Sequence, residues 1–199
     1  MRIISSCLVS KPNTAKSGCA TKSPKRRSPN AIMWTLGSQM NYRLARQSDV
    51  PAMARIRAAD RGTEDYWKAR ISGYLAGELH PREALSPRVI YVAAKADFLV
   101  GFIAGHLTRR YKCDGELEWI DVIPEHRRSG VASELLRRLA AWFVEQDAFR
   151  ICVDVKPENT VARRFYTKHG AETLNKHWLV WSNIKTALGG QRAEKKKSG

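Results

Sequence analysis

From Asn41 to Ser182 the apolar positions fall into short runs that switch between a period of two and a period near four. Tyr42-Arg43-Leu44-Ala45 reads as a short strand. Ser48 and Pro51 then supply a helix cap and first turn, and Met53, Ile56 and Ala59 space one apolar face. A second helix is expected over about 63–79, followed by a loop punctuated by His80-Pro81 and Ser86-Pro87. Three β-rich runs come next, at 89–94, 98–107 and 116–123, the first two joined by Lys95-Ala96-Asp97 as a hairpin turn. They predict three adjacent antiparallel strands.

After Pro124 a basic, glycine-containing turn leads into a helix over about 130–146, where Val131, Leu135, Leu139 and Phe143 recur every four residues. A strand at 150–155, a short helix at 160–168 stopped by Gly170, and a strand at 177–181 complete the pattern. The unit from Glu116 to Val155 reads strand, turn, helix, strand. Such a crossover places two parallel strands side by side or nearly so, and ligands bind at the C-terminal ends of strands so arranged.

Charge changes this picture little once it is divided along the chain. The net charge is +16, but residues 1–39 carry +7 with no acid, residues 183–199 carry +4, and the patterned region only +5. Solvated, disordered basic ends at 1–39 and 183–199 are expected around a single domain at 40–182. Ile3 and Ile4 are followed at once by polar residues, too short an apolar stretch for a secretory signal. The acid-free start also suits an organellar transit segment, and translation beginning at Met40 is a third reading. No apolar run approaches the roughly 18 residues that span a bilayer, and the four cysteines lack metal-ligand spacing. Reduced cytoplasmic thiols, with no metal and no membrane, are the expectation.

The turn Arg127-Arg128-Ser129-Gly130-Val131-Ala132 carries the clearest chemistry. The first N–H groups of the helix that starts there have no intrahelical partners, and the helix dipole adds partial positive charge. Small residues at 130 and 132 let an anion approach the backbone, and two arginines add charged donors. On the turn alone an ordinary strand-to-helix connection with solvated arginines explains it equally well.

Two ordered motifs decide between these readings. Arg127-x-x-Gly130-x-Ala132, preceded by Ile120-Asp-Val-Ile-Pro-Glu-His, resembles the pyrophosphate loop and fourth strand of the GNAT superfamily of acyl-CoA-dependent N-acyltransferases. Asn159-x-x-Ala162-x-x-Phe165-Tyr166-x-x-His169-Gly170 is similar to that family's second signature at the same spacings. Ala132 stands where glycine is more frequent, and Ala171 where an aromatic residue usually follows Gly170. The resemblance covers most of 41–182 and implies the α/β (α+β) GNAT fold: a central, mixed, mostly antiparallel sheet of six to seven strands flanked by about four helices.

It also implies roles. Acetyl-CoA would be the co-substrate, its pantetheine arm pairing with main-chain groups of Ile120, Asp121 and Val122 and its pyrophosphate held by Arg127, Arg128, Ser129, Gly130, Val131, Ala132 and Ser133. Asn159 would contact the cofactor or simply cap its helix. Tyr166 is the natural general acid, a phenol with a pKa near ~10 being protonated at neutral pH. For the base the order is Glu118, Glu116, then Asp154; the two glutamates lie two apart on a strand and so share a face. Tyr66, Trp67 and Tyr74 either border the acceptor pocket or pack in the core, and the five histidines show no ligand spacing.

The function implied is transfer of an acetyl group to a primary amine, on a small molecule or peptide, by direct attack in a ternary complex. A catalytically silent acyl-CoA-binding module is one alternative. Another is an acetyltransferase guided to ribosomes or transfer RNA by weak nucleic-acid contact through the basic tails. The family resemblance allows a homodimer, and the sequence leaves the acceptor amine open.

Overall fold

The computed structural model describes residues 39–78 and 80–189. The expected N-terminal extension, apart from residue 39, and residues 190–199 of the expected tail lie outside that range. Among the described residues seven strands form one sheet in the order β1-β2-β3-β4-β5-β7-β6. They are β1 (Met40–Leu44), β2 (Ala84–Lys95), β3 (Phe98–Thr108), β4 (Gly115–Val122), β5 (Ile151–Asp154), β6 (Glu172–Thr173) and β7 (Trp178–Trp181). Every neighbouring pair is antiparallel except β4 and β5, the ends of the crossover that the sequence predicts.

Among the described residues four helices cover the two faces. On one, α1 (Val50–Ala58) and α2 (Glu64–Ala76) pack Met53, Ala54, Ile71 and Tyr74 against Val92, Phe102 and Trp119 of the sheet. On the other, α3 (Val131–Glu145) and α4 (Thr160–Lys168) join a larger core in which Leu135, Leu139 and Phe143 are fully buried. The four-residue repeat of α3 thus faces the sheet. Gly105 allows the close approach, because an added Cβ would lie 2.8 Å from Leu139 Cδ1.

Several elements depart from expectation. The buried face of α1 is Val50, Met53, Ala54 and Arg57, with Ala59 exposed, so a guanidinium occupies one inward position. Ser48 lies within a 3-10 turn at Gln47–Asp49, and the N-cap of α1 is Asp49, whose carboxylate turns back to Arg43 and to the Arg46 N–H. Ser86-Pro87, expected in a loop, falls inside β2, where the register with β3 shifts between Leu85 and Arg88. A strand tolerates proline at such an irregularity because no ladder donor is needed there. Beyond residue 182, expected to end the domain, a 3-10 turn at Ile184–Ala187 tucks Ile184 and Ala187 into the core beside α3. The apolar side chains of these two residues draw that stretch onto the fold.

Candidate active site

The sheet splits in its middle. β4 pairs with β5 only from Gly115 to Leu117, opposite Ile151 to Val153, and from Glu118 to Val122 it pairs with β3 alone. The parting coincides with a bulge: Ala104 faces Trp119 and Gly105 faces Leu117, leaving Glu118 as the extra residue. A bulge bends its strand and increases the local twist. The gap opens into a cleft of about 1240 Å3 between β4, the end of β5, the first turn of α3, the length of α4 and the end of α1.

Main-chain groups face this gap. Ile123 donates its N–H to Val100 on β3 at 2.9 Å, so strand alternation turns Ile120 and Val122 toward the open side. The Val122 carbonyl there accepts a bond from Arg127 Nε at 3.0 Å. Asp121 points its backbone at β3 instead, and its side chain meets Arg57 of α1 at 2.5 Å. Of the three β4 residues that the resemblance implies for the pantetheine arm, Asp121 therefore turns its main-chain groups away from the gap.

Gly130 ends the turn before α3 with a φ of +88°, a left-handed conformation that glycine adopts without strain. The helix has no side-chain cap, which leaves the first N–H groups of α3 without side-chain partners beside the cleft. Arg127, Arg128, Gly130, Ala132, Ser133 and Asn159 line the cleft, and Arg164 and Lys168 of α4 add positive charge. Val131 is buried in the core, and the Ser129 hydroxyl donates to the His126 carbonyl. Neither residue is among those that line the cleft. His169 Nε2 lies 3.0 Å from the Ser133 hydroxyl, and Asn159 Oδ1 accepts from the Ala162 N–H, a capping bond.

Tyr166 borders the same cleft from α4, 3% exposed, with its ring edge-on to Trp181. Burial, reinforced by the Asp121 charge, lifts its pKa above the ordinary tyrosine value and keeps the phenol protonated. Glu118 and Asp154 border this cleft, and both also line a second compartment of about 440 Å3 that contains Glu116. Tyr66 and Trp67 line this second compartment, whereas Tyr74 is fully buried in the core.

The two glutamates share a face as their spacing predicts, turned toward α2. Glu118 sits 3.5 Å from Arg70, and burial raises its pKa despite that cation. Glu116 accepts from Arg110 Nε at 3.0 Å, yet burial pushes it up to about 7. Behind it His106 is wholly buried, with Nδ1 3.2 Å from the Tyr74 hydroxyl and Nε2 3.8 Å from Glu116. Burial, with help from Arg88 and Arg110, holds His106 down to about 4, so it is neutral at pH 7. His106, Glu116 and Glu118 bring ligand atoms within 4.8 Å of one another. His106 thus joins a cluster that residue spacing did not show, although both carboxylates already face arginines.

Sequence reasoning missed Arg57, Arg61 and Arg70. The signal for Arg57 was present: it follows Met53 and Ala54 by a helical turn and so must face inward. No helix among the described residues is long and apolar enough to cross a membrane.

Residues 59–171 match the model of the acetyltransferase (GNAT) family, more than half of the chain. The chain belongs to the GNAT acetyltransferase family. Solved GNAT structures share its fold at low identity. A GNAT-family protein from Desulfovibrio desulfuricans aligns with a TM-score of 0.59 at 15% identity, over 73% of this chain and 99% of that one. The aminoglycoside antibiotic 6'-N-acetyltransferase from Acinetobacter haemolyticus gives 0.59 at 20% identity, over 68% and 93%. The PaiA N-acetyltransferase from Thermoplasma acidophilum, solved with coenzyme A, gives 0.52 at 17% identity, over 71% and 97%. No curated protein matches the sequence.

Proposed function

We propose that this GNAT protein transfers an acetyl group from acetyl-CoA to an amine by direct attack, with both substrates bound together. The observation that carries this reading is the parting of β4 from β5, which aims the main-chain groups of Ile120 and Val122 at the same gap as the uncapped start of α3. An amide-bearing arm can pair along such an edge, and a pyrophosphate suits the helix start with Arg128, Arg164 and Lys168 nearby. The Arg127 bond to Val122 must open to free that carbonyl.

Acetyl-CoA supplies a thioester-activated acetyl group, and the protein supplies position and proton transfer. Glu118 borders both compartments, where amine and thioester meet, and takes the proton from the attacking amine. Glu116 and Asp154 stand beside it in the second compartment. Tyr166, held protonated by burial, donates to the departing thiolate.

The test is thiol release from acetyl-CoA over a panel of amines, with the acetylated product identified by mass. Product formation that depends on protein and amine supports the reading. Tight acetyl-CoA binding without product on any amine would make the protein a cofactor-binding module instead.

A further inference from the structure

The second compartment is lined by opposite charges on opposite walls. Glu116 and Glu118 stand on β4 and Asp154 ends β5, whereas Arg57 and Arg70 come from α1 and α2 and Arg61 from the turn between them. Existing pairs account for most of these charges: Arg57 is bound to Asp121, Arg70 lies near Glu118, and Arg110 donates to Glu116. Arg61 on the helical wall and Asp154 on the strand wall have no ion pair among the described residues. The compartment, of about 440 Å3 and so within the usual range for small ligands, therefore presents an exposed cation, Arg61, whose charge reaches Asp121, and an exposed anion, Asp154, both at its border with the larger cleft.

We infer that the acceptor is a small zwitterion, an amine carrying a carboxylate on the same molecule, as in a free amino acid. Its amine lies toward Glu118 and Asp154, and its carboxylate toward Arg61, with Arg70 on the same wall. Planar guanidinium groups suit a carboxylate because they can donate two parallel hydrogen bonds. A polyamine fits poorly, because its additional positive charge would meet that wall. Tyr66 and Trp67 lie along the same side and favour a side chain with apolar surface. The inference rests on the acetyltransferase reading for the identity of the amine, but the charge arrangement is tested separately.

The experiment titrates the full chain, with and without saturating CoA, with phenylalanine, leucine and glutamine, each beside its own amide, and with spermidine. Acid and amide differ only in the carboxylate, and the amide has the less basic amine, so proton loss by itself favours the amide. The inference predicts binding roughly tenfold tighter for the acids, the worth of one charge-assisted contact. It also predicts that Arg61→Ala collapses that ratio to near unity while Arg61→Lys retains part of it. Amides or spermidine binding as well as the acids, no binding by any amino acid, or an unchanged ratio in Arg61→Ala would overturn it. Failure of CoA itself to bind would count instead against the acetyltransferase reading.

Discussion

Arg57 Nη1 lies 2.5 Å from Asp121 Oδ2, joining α1 to the half of β4 that has parted from β5, and its guanidinium carbon sits 4.7 Å from the centre of the Trp67 ring and 5.7 Å from that of Trp119. Both side chains of the ion pair are 11% exposed, so each charge depends on the other for compensation. The pair fixes the wall shared by the two compartments.

Removing one member leaves a buried charge alone. Arg57→Met should lower unfolding free energy by about 3–5 kcal/mol, and Arg57→Met combined with Asp121→Leu should recover much of that loss. Urea denaturation of the single and double variants measures the coupling directly.

Tyr166→Phe removes the hydroxyl and leaves the ring that packs on Trp181. Turnover should fall by about 10²–10⁴-fold if the phenol is the general acid, while acetyl-CoA affinity changes little. Steady-state kinetics beside direct binding separates the two, and unchanged turnover would remove Tyr166 from the mechanism.

Gly130→Ala tests the turn before α3. No atom lies within 4 Å of an added Cβ, so the cost comes from the φ of +88° alone. The variant should lose about 1–2 kcal/mol of stability and bind acetyl-CoA more weakly as the turn relaxes. Thermal melts and CoA titration read the two effects.

His106 makes stability pH-dependent. Its folded pKa is depressed to about 4 from 6.5, mainly by burial, then by Arg88 and Arg110. The unfolded chain therefore takes up this proton first, and stability is lost as pH falls from 6.5 toward 4. Glu116, raised to about 7 from 4.5, titrates in the opposite sense. In a Glu116→Gln background, His106→Gln should therefore remove an acid-side loss of about 3 kcal/mol, read from urea midpoints at stepped pH.

Local periodicity made most of the fold legible. The repeat of α3, the antiparallel β2-β3-β4 meander and the parallel β4-β5 pair all follow from patterns confined to short stretches. β6 has only two residues, Glu172 and Thr173, both exposed, and so carries no period to read. In the candidate site the common face of Glu116 and Glu118 was legible because a strand repeats every two residues. The Arg57–Asp121 pair spans 64 positions, and Tyr74–His106 spans 32. Such contacts arise from how α1 and α2 dock on the sheet, which no local pattern encodes.

The most direct test of the account is calorimetric titration of the full chain with acetyl-CoA, beside Ala132→Asp. That substitution puts a carboxylate in the first turn of α3, where it suits the helix dipole but repels a pyrophosphate. The protein should bind one acetyl-CoA, and the folded variant should bind at least about tenfold more weakly. No binding by the unmodified chain, or equal binding by Ala132→Asp, would contradict the assignment of the cleft.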